Sequence, residues 1–158
     1  MKIKPNRVLF ISSAGGHLAE ILELKQLREK YEYLIVTEDV ETTRSMASTY
    51  NMKFLKPDMM GRAFSYYFNI VLNFFLSIPI LWSFRPTVII TTGSHTAFPM
   101  CVLAYILRIR VVYILSYARV NSKAKSATFI YPFSNLFLVQ WESAKQLYRK
   151  SIYRGSLF

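Results

Sequence analysis

The segment RVLFISSAGGH, residues 7–17, is the clearest indication of the fold in this sequence. Its first six residues are largely apolar and lack the alternation of a half-exposed strand, which predicts a strand buried on both faces. The two glycines allow a tight turn, and Leu18, Ile21, Leu22 and Leu27 then recur near helical spacing. A buried strand, a glycine turn and a helix in this order are typical of the first unit of a doubly wound α/β sheet.

The remaining chain continues this alternation of strands and helices. Apolar runs without alternation predict buried strands, and segments with helical periodicity separate them. The predicted strands are 33–37, 52–55, 87–92, 110–115, 135–139 and 152–153, and the predicted helices are 17–30, 41–50, 63–84, 97–107 and 142–148. No repeat, low-complexity tract or linker interrupts the pattern. Residues 1–158 are therefore predicted to form one α/β domain, a Rossmann-like doubly wound parallel sheet.

The composition and the charge distribution indicate a membrane or anionic partner. Hydrophobic residues make up 53% of the 158 residues, which excludes a disordered chain. The single cysteine, Cys101, lies in an apolar run and is expected to be a small buried hydrophobe in a reducing compartment. Residues 1–58 hold nine basic and eight acidic residues, whereas 59–158 hold eleven basic residues and one acid, Glu142. Phospholipid, a diphosphate or nucleic acid would each complement that net charge of +10.

The segment 63–84 carries no charge over 22 residues and, as a helix, is about 33 Å long. That length would cross a bilayer core, but Ser65, Tyr66, Asn69, Asn73, Ser77 and Ser83 form a weak polar stripe. A crossing would also place strands of one sheet on opposite sides of the membrane. We therefore predict an interfacial helix, while a core or partner-binding helix and a true span remain open. The expected membrane contacts are Phe64, Tyr67, Phe68, Phe74, Phe75 and Trp82, with Arg62 and Arg85 as basic flanks.

Two glycine turns follow predicted strands, at residues 12–17 and 91–96. Both are expected at the carboxyl edge of the sheet, where such folds bind ligands, and a helix N-terminus there favours an anion. Neither turn is a GxGxxG or Walker motif, and either could be an ordinary strand-to-helix connection with a capping histidine.

A basic loop at residues 116–125 follows a third predicted strand. Arg119 can bind a phosphate in bidentate fashion, and Lys123 and Lys125 add positive charge. The loop could equally be a solvated basic segment. Histidine, cysteine and acidic residues do not cluster at metal-ligand spacing, so no metal is expected.

These motifs together resemble a family. The chain is similar to bacterial capsular and exopolysaccharide proteins of the oligosaccharide-biosynthesis membrane-subunit type. It also resembles the membrane-anchoring subunit of the two-subunit transferase that makes dolichol-linked chitobiose, and the N-terminal half of the enzyme that forms lipid II. The matching segments are SAGGH at 13–17 with Glu20, TGSH at 92–95, YARV at 117–120, VQWE at 139–142 and GSLF at 155–158.

The resemblance implies the N-terminal, acceptor-binding half of a GT-B glycosyltransferase. A separate soluble catalytic subunit would bind the UDP-sugar, so this chain would bind no cofactor itself. The heterodimer would extend an undecaprenyl-diphosphate-linked sugar by inverting transfer, at the cytoplasmic face of the plasma membrane. His17 matches the motif histidine and is a candidate general base. The implied acceptor and diphosphate contacts are Ser13, Gly15, Gly16, Gly93, Ser94, Arg119 and Asn121.

One departure from the family pattern weakens the catalytic assignment. Relatives often carry an acidic residue two places before the aromatic-Ala-Arg-Val motif, where this chain has Leu115. A chain of 158 residues has the length of one of the two Rossmann-like domains of a complete GT-B enzyme. Two alternatives stay open: a non-catalytic membrane scaffold for the catalytic subunit, and a small stand-alone nucleotide-binding protein. Nucleic-acid binding is disfavoured, because the charge-free helix beside the basic region suits lipid better.

Overall fold

The computed structural model describes residues 6–57 and 63–158, and the side chains of 63–65 are outside that description. Within these residues, seven parallel strands form one sheet in the order β3-β2-β1-β4-β5-β6-β7. They are β1 (Arg7–Ser12), β2 (Glu32–Glu38), β3 (Met52–Leu55), β4 (Val88–Gly93), β5 (Arg110–Ile114), β6 (Leu136–Val139) and β7 (Ser151–Tyr153). The chain builds outward from β1 to β3, then returns to β4 beside β1 and builds in the other direction. The topological switch point therefore lies between β1 and β4.

Helices cover both faces of this sheet. They are α1 (Gly16–Glu23), α2 (Lys25–Lys30), α3 (Glu41–Met46), α4 (Ala63–Phe84), α5 (Ala97–Ile106) and α6 (Lys125–Ile130), with 3₁₀ helices at Tyr131–Phe133 and Ser143–Leu147. On one face, Phe10 and Ile35 pack with Ile21 of α1. On the other face, Leu9 and Val36 belong to a cluster that includes residues of α4, α5 and α6. Successive strand residues thus enter opposite layers, which explains the continuous apolar runs.

The strand and helix assignments are largely confirmed, with three differences. The predicted helix 17–30 is interrupted at Leu24, whose ψ of 40° is not helical. Leu18, Ile21 and Leu22 follow helical spacing, but the next apolar residues are Leu24 and Leu27 rather than the positions that the spacing requires. The break brings both leucines against the core. The second difference concerns two other predicted helices: the one at 41–50 ends at Met46, and the one at 142–148 is a 3₁₀ helix.

The third difference is the helix α6, which the sequence pattern did not indicate. It begins at Lys125, the last residue of the predicted basic loop. Only two of its six residues, Ala127 and Ile130, are buried. Six residues offer too few turns for an amphipathic period to be recognised.

The long helix α4 turns its polar stripe towards the domain. The Asn73 side chain accepts from the Lys56 N–H at 2.9 Å and donates to the Lys56 carbonyl at 3.0 Å. The Asn69 side chain donates to the Pro57 carbonyl at 3.0 Å, and the Ser77 hydroxyl donates to the Asn73 carbonyl at 2.6 Å. The bonds of Asn69 and Asn73 fasten α4 alongside the chain that follows β3, whereas the Ser77 bond lies within the helix. Leu81 is buried and other apolar side chains of α4 pack against the core, but Tyr67, Phe68 and Trp82 face outward.

By length and composition alone, residues Tyr66–Phe84 of α4 could cross a bilayer, with a mean hydropathy of 1.5. Its most apolar window is 22% buried within the protein. Few residues of this helix are therefore fully buried by the described part of the domain.

Candidate functional site

A cleft of about 680 Å³ opens at the carboxyl ends of β1, β4 and β5. This is the switch-point position at which doubly wound sheets bind ligands. Both glycine turns and the loop after β5 contribute to it. Its walls include Ser13, Ala14, His17, Glu38, Ser94, His95, Thr96, Tyr113, Ser116, Ala118, Arg119, Lys123, Lys125 and Ser126.

The first glycine turn is held by a buried carboxylate. Glu38, the last residue of β2, is 9% exposed, and its Oε2 accepts the N–H of Ala14 at 3.2 Å. Its Oε1 accepts the hydroxyl of Thr96 at 2.5 Å. Gly15 has a φ of +78°, which glycine adopts without the steric cost of a Cβ. The turn is thus shaped by glycine and fixed by a side chain from the neighbouring strand.

The second glycine turn is tightly packed and strained. Gly93 has a φ of +102°, and a Cβ there would collide with the hydroxyl of Tyr113. Ser94 is 7% exposed and has a φ of +131°, although it carries a Cβ. Its hydroxyl accepts the N–H of Ala97 at 3.3 Å. Backbone strain of this kind is concentrated at functional sites in proteins.

His17 lies in the cleft at the start of α1. Its carbonyl accepts the Thr92 hydroxyl at 2.9 Å, which ties α1 to β4. The buried Nδ1 of its ring has no hydrogen-bond partner among the residues that the structure describes. Burial lowers the pKa of His17 below 6.5, and the nearby Glu20 carboxylate opposes this in part. The imidazole is therefore neutral at pH 7 and can accept a proton.

A basic wall faces the two turns. Arg119, Lys123 and Lys125 line the cleft from the loop after β5 and the first residue of α6. The Arg119 guanidinium donates to the Ser122 hydroxyl at 3.3 Å, and its other N–H groups can still bind an anion. Three cations beside a neutral imidazole suit an anionic ligand that carries a hydroxyl nucleophile.

A second buried carboxylate organises the loop after β5. Glu20 of α1 is 5% exposed, and its Oε1 accepts the Ser116 hydroxyl at 2.6 Å and the Tyr117 N–H at 3.0 Å. The Gln140 side chain donates to the Leu115 carbonyl at 3.1 Å and accepts the Leu157 N–H at 2.8 Å. Gln140 also donates to Glu20 Oε2 at 3.5 Å, so residues 120 positions apart meet here.

Residues 8–157 match the family described as "Oligosaccharide biosynthesis protein Alg14 like". The chain belongs to this family. Curated relatives include the "UDP-N-acetylglucosamine transferase subunit ALG14" of Homo sapiens, 24% identical over 95% of this chain and 82% of the relative. The protein of the same name from Yarrowia lipolytica is 26% identical over 96% of this chain and 81% of the relative.

Solved structures show the same fold in larger proteins. Acinetobacter baumannii MurG superposes with a TM-score of 0.78 and 13% identity, over 96% of this chain and 46% of that protein. UDP-N-acetylglucosamine 2-epimerase from Rickettsia bellii gives 0.75 and 11%, over 98% of this chain and 46% of the epimerase. The chain thus spans a little under half the length of these proteins. Together with the seven-stranded sheet, they confirm the predicted fold, one Rossmann-like half of a GT-B arrangement.

Three of the five motifs quoted from the sequence, at 13–17, 92–95 and 117–120, line the cleft of this Alg14-like chain, and those at 139–142 and 155–158 do not. Of the predicted contacts, Ser13, His17, Ser94 and Arg119 line it directly. Gly15 and Gly16 are exposed on the first turn, and Gly93 lies beneath the second. Asn121 is exposed and does not line the cleft. Leu115 is 1% exposed and belongs to the apolar core.

Sequence reasoning assigned no site role to Glu38 or Thr96. The position of Glu38 at the carboxyl end of β2 was the available signal, because residues there face the ligand edge of the sheet. Its contacts could not be foreseen, since Thr96 is 58 residues away. No group of three or more potential metal ligands occurs within residues 6–57 and 63–158.

The outer face of α4 carries most of the predicted membrane contacts. Tyr67, Phe68, Phe75 and Trp82 expose between 60% and 76% of their surface, and Arg85 is also exposed. Phe74 instead packs partly against the core. Arg62 and the side chain of Phe64 lie outside the described residues. Other large apolar side chains that sequence reasoning had not singled out are exposed on α4, α5, α6 and the turn after α5: Val71, Ile78, Tyr105, Ile106, Leu107 and Phe129.

The start of α4 is joined directly to the cleft. The Tyr66 hydroxyl and His95 Nδ1 share a hydrogen bond of 2.7 Å, and the two rings meet edge to face at 5.2 Å. His95 belongs to the second glycine turn and lines the cleft. The apolar helix and the candidate site are thus one connected structure.

Proposed function

We propose that this chain is the membrane-attached, acceptor-binding subunit of a two-subunit N-acetylglucosaminyltransferase. The observation that carries the proposal is the cleft, in which a neutral histidine faces three cations at the switch point of a GT-B half. The curated relatives are named as a subunit of a UDP-N-acetylglucosamine transferase, which supports the same reaction.

In this proposal the acceptor is a sugar on a polyprenyl diphosphate. Arg119, Lys123 and Lys125 neutralise the diphosphate, and the glycine turns present backbone N–H groups to it. The His17 imidazole takes the proton of the acceptor hydroxyl, whose oxygen then attacks the anomeric carbon of the donor sugar. The bond from that carbon to the nucleoside diphosphate breaks, and the configuration inverts.

The donor half is assigned to a separate soluble subunit. The curated relatives are named as a subunit of a transferase, which supports this assignment, and residues 6–57 and 63–158 form a single sheet. The UDP-sugar is therefore proposed to bind the partner, with the two subunits closing over the cleft as a heterodimer.

The apolar face of α4 is proposed to lie in the membrane interface. Its hydrogen bonds to Lys56 and Pro57 hold the helix along the domain, which supports an in-plane helix rather than a span. Exposed aromatic side chains, the basic Arg85 and the almost acid-free second half favour an anionic surface.

The cellular setting rests on the sequence resemblance. Undecaprenol as the carrier, capsular or exopolysaccharide synthesis as the pathway and the cytoplasmic face of the plasma membrane as the location belong to the proposal. The curated relatives compared above are eukaryotic proteins.

The test is to tag the chain, express it with its native neighbours and purify it in mild detergent. We expect a stoichiometric soluble partner of about one Rossmann-like domain, and a complex that transfers N-acetylglucosamine from UDP-N-acetylglucosamine to a lipid-diphosphate acceptor. A chain that transfers sugar alone, or that binds neither a partner nor a lipid acceptor, would contradict the proposal.

A non-catalytic scaffold is the second candidate, favoured by the apolar Leu115 where relatives often have an acid. His17→Ala in the intact complex distinguishes the two. Loss of a general base lowers kcat by about 10²–10⁴-fold, whereas a scaffold keeps full activity. Co-purification of the partner with His17→Ala is the control for folding.

A further inference from the structure

Glu38 is the one carboxylate among the described residues that line the cleft. It is 9% exposed and stands opposite a basic wall that is proposed to bind an anion. Burying a carboxylate is costly unless its oxygens are hydrogen-bonded. Its hydrogen bonds therefore decide what it does.

Both carboxylate oxygens of Glu38 accept hydrogen bonds from the glycine turns. Oε2 accepts the N–H of Ala14 in the first turn at 3.2 Å. Oε1 accepts the hydroxyl of Thr96, the last residue of the second turn, at 2.5 Å. An ionised carboxylate is an acceptor at both oxygens, so it can serve two donors at once. Hydrogen bonds to a charged acceptor are stronger than neutral ones.

These contacts span the switch point of the sheet. Ala14 follows β1 and Thr96 follows β4, the two strands between which the cleft opens. Glu38 comes from β2, so it joins the two turns from outside both of them. The β1–β4 pairing at Ser12 and Gly93 and the bond from the Thr92 hydroxyl to the His17 carbonyl join the two ends of the turns, and Glu38 adds the link between Ala14 and Thr96.

We infer that Glu38 is a positioning residue that holds the two glycine turns at a fixed separation, and so places His17 relative to the anion-binding backbone. The inference rests on the proposed function and extends it to a residue without an assigned role. Glu38 acts through Ala14 and Thr96 and does not exchange a proton with the substrate.

The experiment compares Glu38→Gln with Glu38→Ala in the purified two-subunit complex. In Glu38→Gln, the amide oxygen can accept the Ala14 N–H while the NH₂ group donates to the Thr96 hydroxyl. We expect kcat within about threefold of the wild type for Gln. A misplacement of roughly 1 Å can cost 10²-fold, so we expect a fall in kcat of that order for Ala, with an unchanged KM for the UDP-sugar.

Two controls accompany these variants. Asp39→Asn removes a carboxylate from the next residue, which pairs with Arg44 outside the cleft, and should leave kcat unchanged. Thr96→Val removes one of the two donors and should reproduce part of the Glu38→Ala loss. If Glu38→Gln is as slow as Glu38→Ala, the charge itself takes part in the reaction and the positioning role is overturned. Wild-type kcat in Glu38→Ala overturns it as well.

A readout that needs no activity separates this inference from the proposed function. Hydrogen exchange of the Ala14 amide, measured by NMR, should accelerate at least tenfold in Glu38→Ala and stay near the wild-type rate in Glu38→Gln. If no complex transfers sugar but the exchange rates follow this pattern, the proposed function fails while the structural role of Glu38 stands. Unchanged exchange in Glu38→Ala would overturn that role.

Discussion

Ser94 occupies a backbone conformation that glycine adopts without steric cost. Its φ of +131° strains a residue with a Cβ, at a cost of about 1–3 kcal/mol. Ser94→Gly and Ser94→Ala both remove the hydroxyl that accepts the Ala97 N–H. We expect the free energy of unfolding of Ser94→Gly to be roughly 1 kcal/mol higher than that of Ser94→Ala. This difference already allows for the greater freedom of glycine in the unfolded chain, which destabilises the Gly variant. Denaturant titration of the two variants measures this difference, and equal stabilities would show that the turn is not strained.

The lowered pKa of His17 predicts the acid limit of activity. Burial favours the neutral imidazole, so its pKa lies below 6.5. The neutral form is the base, and kcat/KM should therefore be constant above pH 6.5 and fall as the pH drops through the lowered pKa. Folding stability should follow the same direction, because protonation below pH 6.5 favours the unfolded chain. A rate profile from pH 5 to 8 tests this, and His17→Gln should remove the stability loss that this histidine causes.

Individual site residues could be predicted only where they follow a strand. His17 and Arg119 were identified because each lies just beyond the carboxyl end of a predicted strand. Glu20 was part of a quoted motif, but its contacts with Ser116 and Gln140 depend on tertiary packing across 96 and 120 residues. Hydrogen bonds of that range leave no periodic signal in a single sequence.

At the level of secondary structure, α4 shows what a sequence pattern can predict and what it cannot. Its bounds follow from the charge-free run, and its polar stripe was visible at helical spacing. The sequence did not tell which of the two faces meets the domain. The Lys56 and Pro57 backbone groups decide this, because they need partners that the Asn73 and Asn69 side chains supply.

The outward face of α4 predicts how membrane binding can be removed. Phe75→Glu combined with Trp82→Glu places two charges on residues that are 60% and 76% exposed. We expect binding to anionic vesicles to fall at least tenfold with no loss of thermal stability, because neither side chain supports the core. Thr49→Glu, an exposed position elsewhere, is the charge control. Unchanged flotation of the double variant with vesicles would contradict an in-plane helix.

The bond between Tyr66 and His95 makes a prediction for the same helix. Tyr66→Phe removes the hydroxyl from a 2.7 Å hydrogen bond and keeps the ring contact. We expect a stability loss of about 1 kcal/mol, slower sugar transfer and unchanged vesicle binding. Calorimetry, the transferase assay and flotation on one preparation separate these effects. Weaker vesicle binding with normal transfer would show that Tyr66 faces lipid instead.

The whole molecule combines an apolar face with a strongly basic half. Residues 59–158 carry a net charge of +10, so part of the affinity for anionic vesicles is electrostatic. Raising the salt concentration from 0.1 M to 1 M shortens the Debye length from about 10 Å to about 3 Å. We expect vesicle binding to weaken several-fold but not to vanish, because the apolar contribution remains. Complete loss at high salt would assign all of the binding to charge.

The sheet was easier to predict from the sequence than the second subunit and its contacts. Continuous apolar strands alternating with helices leave few topologies, since parallel crossovers are right-handed and sequential strands are usually neighbours. The two glycine turns were predicted to lie at the carboxyl edge of the sheet, and both line the cleft there. The second subunit leaves no such pattern, because its contacts are made by an outer surface rather than by the periodic core.

The outward apolar face of α4 has a consequence for how the protein is made. A newly folded copy in water presents a wide apolar face that the domain itself does not cover. Contiguous apolar surfaces of this kind drive self-association, so arrival at a lipid surface competes with aggregation. Synthesis close to a membrane, or handover by a chaperone, would decide how much of the chain reaches its working location. Expression yield should therefore depend on available membrane area as well as on folding stability.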